Sequence, residues 1–212
     1  STLFPYTTLF RSLAVGAASC LIAATLGMTV GLIAAYAGGR TETLIMRLVD
    51  LQLSLPSVLV ALILVAMFGK GVDKIILALV LVQWAYYART VRGSALVERS
   101  KDYVEAARCL GLSHTRILFR HILPNCLAPV IVVATVQTAH AISLEATLSF
   151  LGVGLPQTEP SLGVLIANGF QSMMSGKFWI STFPGLALLI TIVAINLVGD
   201  RLRDVLNPRL EK

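Results

Sequence analysis

Five stretches of the chain are long and apolar: Leu13–Ala37, Leu51–Phe68, Ile75–Ala88, Cys126–Leu144 and Trp179–Val198. A helix of roughly 20 mostly apolar residues, within a range of about 17–25, crosses a bilayer. Backbone groups find no water in hydrocarbon, so these stretches predict helices; no alternating strand-length segments suggest a barrel. Ile75–Ala88 is short by this measure and is expected to extend past both ends. The second span carries Pro56 near its start. The first contains Gly27 and Gly31, a spacing at which a second helix can approach closely, although two glycines in an apolar run need have no such role. Leu151–Phe178 is too polar and glycine-rich to cross and is expected to lie at the outer interface. The predicted fold class is all-α: a polytopic membrane helical bundle with five transmembrane helices and a polar helical hairpin between the third and fourth.

Composition supports this reading. Of 212 residues, 56% are hydrophobic and 13% charged, whereas soluble domains carry roughly 25% charged residues. The net charge of +6 does not indicate nucleic acid, because the basic residues cluster between apolar runs. The loops after the first and third spans and the tail after the fifth hold two, seven and four of the 17 Lys and Arg. The opposite side holds Arg11, Lys70, Lys74 and Lys177. The positive-inside rule therefore places the hairpin and the C-terminus in the cytoplasm. Five spans then leave the N-terminus outside, and an earlier helix missing from the chain is expected. Ser1–Arg11 has no initiator Met and no basic region before an apolar core, so it is not a signal peptide. It is set aside as a non-native or disordered start, with 12–205 as the transmembrane domain and 206–212 as a cytoplasmic tail. Cys20, Cys109 and Cys126 are far apart and form no CxxC pair, so free thiols are expected.

The hairpin is "DYVEAARCLGLSHTRILFRHILPN", from Asp102 to Asn125. Val104, Ala107 and Gly111 share one face of a helix, with Glu105 and Ala106 beside it. Gly111 suits the left-handed position that ends a helix. Ser113 reads as the N-cap of a second short helix through Arg120, and Pro124 marks the entry to the fourth span. Small residues let a partner's backbone come near while charges fix its register. A basic amphipathic helix lying on anionic lipid fits the pattern equally well.

The order Glu105-Ala106-Ala107, three residues, Gly111, nine residues, then His121-Ile122-Leu123-Pro124 resembles the EAA loop of ABC-transporter permeases. His121 stands where the general pattern has Ile, and "RHILPN" is similar to the peptide-type branch. "LIMRLVDLQLSLPSVLVAL", "LEATLSFLGVGLPQTEPSLGVLIANG" and "FPGLALLITIVAINLVGDRLRDVLNPRL" resemble the same branch, in order, over about Ser12 to Leu210. The resemblance is closest to the C-type subunit of the dipeptide, oligopeptide and nickel permeases, whose members usually begin with one more helix. It implies a type I importer subunit in the bacterial or archaeal plasma membrane. It also implies that Tyr103, Glu105, Ala106, Ala107, Gly111, Leu112 and Ser113 couple to the ATPase. The implied partners are a B-type permease, two cytoplasmic ATPase subunits, an extracellular or periplasmic solute-binding protein and the lipid membrane, with no nucleic acid.

The chain has no GxxxxGK[ST] loop; Gly69-Lys70-Gly71 lacks the spacing and the hydroxyl. No ATPase activity, cofactor, catalytic residue or metal site is therefore expected in this chain, and ATP is expected on partner subunits. His114, His121 and His140 stand alone and suit hydrogen bonds better than metal ligation. Gln137, His140 and Glu145 on the fourth span and Asn196 on the fifth are candidates for a translocation path or for interhelical bonds. Charge near lipid is costly; the resemblance, which places a similar Glu at the head of "LSFLG", implies a structural bond for Glu145. Two other classes stay open, an ion-coupled secondary transporter and a non-transporting scaffold. Secondary transporters place ionisable groups at the midplane and often show internal repeats, neither of which is evident here.

Overall fold

The computed structural model describes residues 4–156 and 159–206, and the regular elements among them are all helices. In chain order these are α1 (Phe4–Ala37), α2 (Gly39–Ser54), α3 (Ser57–Phe68), α4 (Val72–Arg99), α5 (Asp102–Cys109), the single turn α6 (His114–Arg116), a π-helical segment (Ile117–Ile122), α7 (Leu123–Phe150), α8 (Leu162–Gln171) and α9 (Trp179–Leu206). A 3-10 turn, Met173–Ser175, follows α8. Helix α1 runs through residues 4–11, the stretch set aside on sequence grounds.

Among the described residues four continuous helices are long and apolar enough to cross a membrane: Thr8–Ala37, Val72–Arg99, His114–Phe150 and Trp179–Leu206. The predicted second span differs. Helices α2 and α3 meet at a bend of 94°, so Leu51–Phe68 is not one straight helix. Pro56 is the cause. It has no N–H, and its ring keeps Leu55 out of the helical region and in extended backbone at φ −87°, ψ 139°. Helix α3 has 12 residues and is about 18 Å long, short of the ~30 Å hydrocarbon core. Only together with α2 does it reach the length of a crossing, and a pair bent this sharply is a broken span or a re-entrant loop. Val72–Arg99, by contrast, extends past both ends of the short apolar run, as its length demanded.

The core lies where α1, α4 and α7 meet. Helices α1 and α4 run in the same direction, and small residues bring them into contact. A Cβ on Gly31 would come within 2.5 Å of the Ala88 carbonyl oxygen, and one on Gly27 within 2.6 Å of Tyr87 Cβ. Close backbone approach is what holds helices together in lipid, where apolar burial alone gives little. The Gly27/Gly31 spacing thus marks a real packing face. Helix α7 runs antiparallel to α1, with Gly16 against Ile142. Cys20 Sγ lies 2.8 Å from the Tyr87 hydroxyl, and Cys20, Cys109 and Cys126 are all free thiols. Helix α9 is the least buried of the four long helices. It touches α7 where Gly199 meets Thr135, and its Phe183, Leu186, Ile190 and Val193 stay exposed. Leu151–Phe178 does not cross. It holds the ten-residue α8, whose N-cap Ser161 accepts the Val164 N–H at 3.2 Å.

Candidate functional site

The hairpin turns where its glycine predicts. Helix α5 ends at Cys109, and Gly111 takes φ +71°. The Leu112 N–H reaches back to the Ala107 carbonyl at 3.2 Å and the Gly111 N–H to the Arg108 carbonyl at 2.9 Å. These two bonds make a Schellman turn, and Leu112 packs with Val104 and Ala107 as such turns favour. Val104 and Ala107 are the inward face of α5. Glu105, Ala106, Cys109, Leu110 and Ser113 face out, Leu110 at 79% exposure. An apolar side chain that open on a charged tip offers a contact rather than a core position.

The second arm departs from the expected short helix through Arg120. Ser113 sits at the N-cap position, but its side chain caps no N–H. The arm continues from His114 through the π-helical segment straight into α7. Pro124 has no N–H to give the preceding turn, and the ladder shifts there: the Leu123 N–H bonds to Leu118, five residues back. The second arm and α7 thus form one continuous helix, His114–Phe150.

Two polar clusters fix the hairpin to the bundle. On one side Glu98, at the end of α4, takes Lys101 Nζ at 2.5 Å and the Tyr103 hydroxyl at 2.7 Å. Asn125 Nδ2 then donates to Tyr103 Oη at 3.1 Å and to the His121 carbonyl at 2.8 Å, serving an acceptor in the distorted turn. Burial, and then the bond to Glu98, push the Tyr103 phenol up to about 12, so it stays a donor at neutral pH. On the other side Arg99 Nη1 caps the end of α1, 2.7 Å from the Ala35 carbonyl. The Tyr36 hydroxyl bonds His114 Nδ1, and Arg108 lies over the Tyr36 ring, 5.9 Å from its centroid. Sequence analysis named Tyr103 but not Glu98 or Asn125. A short polar residue immediately after Pro124 was the available signal.

The polar residues of the spans separate into different sites. Gln137 is buried on α7, its backbone carbonyl accepting Gln83 Nε2 of α4 at 3.3 Å. Gln83 Oε1, Gln137 Oε1 and His140 Nδ1 are buried without a hydrogen-bond partner among the described residues. Glu145, fully buried, is instead a hub. Ser12 of α1 donates to it at 3.1 Å and Ser149 at 2.8 Å, and Ser149 Oγ accepts the Leu155 N–H at 3.2 Å. It thereby joins α1 to α7 and to the outer loop. Asn196 is half-buried on α9. Sequence analysis passed over the ion pairs of α2 with α4, Glu42 with Arg92 and Asp50 with Arg89. Among the described residues no group of His, Cys, Asp and Glu could hold a metal ion.

A bundle of apolar helices long enough to cross a membrane, with a basic hairpin leading into one of them, suits a multi-pass membrane protein. Residues 27–212 match the family described as binding-protein-dependent transport system inner membrane component. The chain belongs to this family. It is 39% identical to the di/tripeptide transport system permease protein DppC of Pseudomonas aeruginosa (strain UCBPP-PA14), over 200 residues covering 94% of this chain and 66% of that protein. It is 46% identical to the dipeptide transport system permease protein DppC of Escherichia coli (strain K12), over 169 residues covering 80% of this chain and 56% of that protein. The chain thus spans about two thirds or less of the length of these curated relatives. Its fold is similar to that of a chain in the inward-facing MetNI methionine ABC transporter. That likeness has a TM-score of 0.77 at 20% identity and covers 98% of this chain and 99% of that one. The all-α membrane architecture is therefore that of ABC-transporter membrane subunits.

Proposed function

We propose that the chain is the C-type permease subunit of an ABC importer for short peptides, forming part of the translocation path. Peptides are the solute class because the relatives named above are dipeptide and di/tripeptide permeases. The observation that carries the reading is the exposed tip of the hairpin, Glu105, Ala106, Leu110 and Ser113, which leads across the Gly111 turn into an arm continuous with a spanning helix. Tyr103, Ala107, Gly111 and Leu112 shape and hold that tip. Two ATPase subunits bind and hydrolyse ATP and grip it from the cytoplasm. A B-type permease completes the walls of the path, and a solute-binding protein delivers peptide to the outer face. The chain itself hydrolyses nothing. Its C-terminus is cytoplasmic, since the hairpin and the end of α9 share the basic side of the bundle.

Assembly is the test. The native full-length protein, purified with the products of neighbouring genes, gives a heteromeric complex with ATPase subunits and a second permease. That complex takes up peptide into proteoliposomes only with ATP and the loaded receptor. Uptake by the isolated permease, without ATPase subunits, contradicts the reading.

A further inference from the structure

Exposed charged groups lie side by side on α2 and α4. Gly31 of α1 packs on Ala88 of α4. Arg89, the next residue on α4, lies within the candidate span Val72–Arg99. Helix α2 climbs beside it: Val49 is buried against Ala85 and Ala88, and Asp50 pairs with Arg89. That pair is not sealed in the protein; the side chains are 62% and 53% exposed, respectively. Arg47 and Ser54 are exposed on the same stripe of α2, at helical spacing from Asp50. Arg47, Asp50, Leu51 and Ser54 line a groove of about 460 Å³. Charged side chains within a span are tolerated where they face water or a polar wall, and are costly against lipid tails.

We propose that Arg47, Asp50 and Ser54 of α2, with Arg89 of α4, face the water-filled path and form a binding station for a zwitterionic solute. Among the described residues Arg47 is in no ion pair. Its guanidinium fork matches a carboxylate, which it takes in two parallel hydrogen bonds. Asp50, held in place by Arg89, takes an ammonium group. The three ionised side chains leave one net positive charge, so the carboxylate end of the solute sets the affinity. Ser54, a turn beyond Asp50, supplies a hydroxyl along the way. The apolar stripe Leu44, Leu48, Leu51 and Leu55 beside these residues is exposed too, which gives the path one polar and one oily wall, suited to peptides of varied side chain. The station sits where the Pro56 bend turns the chain, so α2 can move against α4 without unwinding a spanning helix.

This rests on the permease reading, and the test separates the two. The full-length protein is studied in its complete transporter, in proteoliposomes, with Ser54→Cys and, for comparison, Leu21→Cys on the exposed face of α1. A membrane-impermeant methanethiosulfonate cation and a membrane-soluble maleimide are the probes. During turnover Ser54→Cys reacts with the charged reagent at least tenfold faster than Leu21→Cys, and dialanine slows it. In the same vesicles Arg47→Gln lowers dialanine uptake per ATP hydrolysed at least fivefold, and Arg47→Lys restores most of it. Modification of Ser54→Cys only by the maleimide would place the groove in lipid. Reaction with neither reagent would place it under another protein surface. Either result overturns the station, as does wild-type uptake by Arg47→Gln. Failure of the unmodified transporter to take up dialanine counts against the peptide reading instead, and leaves the accessibility of Ser54→Cys to decide whether the groove is wet.

Discussion

Tyr103 shows what a single residue contributes here. Its hydroxyl donates to Glu98 and accepts from Asn125, so one oxygen ties α5 to both α4 and the start of α7. A typical hydrogen bond contributes about 1 kcal/mol net, and somewhat more when one partner is charged. Tyr103→Phe is expected to destabilise the hairpin by roughly 1–2 kcal/mol and Asn125→Ala by about 1 kcal/mol. Because both act through the same phenol, the double variant should cost less than the sum. Hydrogen exchange of the α5 amides in the detergent-solubilised full-length protein checks this; strict additivity would mean that the two side chains act apart. Tyr103 was legible in the sequence as part of the hairpin. Its partners were not, because Glu98 lies outside the motif and Asn125 is brought close only by the folded turn.

At the scale of elements, the hub at Glu145 decides how the outer loop is held. A buried carboxylate that accepts hydroxyls from Ser12 and Ser149 is costly to break from either side. Glu145→Ala strands those hydroxyls and is expected to destabilise the protein by about 2–4 kcal/mol. Glu145→Gln, which keeps an acceptor, should cost roughly half as much or less. Thermal unfolding, with protease cleavage between residues 151 and 161 as the local readout, measures both. Equal effects of Ala and Gln would remove the hub as the explanation. Sequence reasoning located Glu145 as a costly group but could not choose between path and joint, because the choice depends on Ser12, 133 residues away. It read three of the four long spans from apolar length and the fourth, Ile75–Ala88, as a short run that had to extend past both ends. It missed the bend between α2 and α3 by running a helix through Leu51–Phe68, although Pro56 was the local cue. It also passed over Asp50 and Arg89, which lie at the edges of apolar runs and read as loop charges until α2 is laid against α4. The Gly111 turn needed no tertiary information, since the Schellman bonds are local.

For the whole molecule, the distribution of basic residues sets an orientation. Ser113 lies on the hairpin tip and Met174, 97% exposed, on the opposite end after α8. Cysteines placed at these two positions should label from opposite sides of the membrane, Ser113→Cys from the cytoplasm and Met174→Cys from outside. Labelling of both from one side would invert or abolish the proposed topology.

Coupling is the central claim, and Gly111 tests it most directly. Its φ of +71° is open to glycine, whereas a β-branched residue enters that region at a cost of roughly 1–2 kcal/mol or more. Nothing lies within 4 Å of where a Cβ would stand, so the penalty falls on the turn and not on packing. Gly111→Val should tilt α5 against the arm that leads into α7 while leaving the apolar spans intact. The measurement is peptide uptake and receptor-stimulated ATP hydrolysis by the complete transporter at matched membrane abundance. The account predicts normal abundance with uptake lost and ATP hydrolysis no longer stimulated by loaded receptor. Wild-type uptake by Gly111→Val at equal expression would contradict it, and would leave the hairpin as a helix resting on the lipid surface.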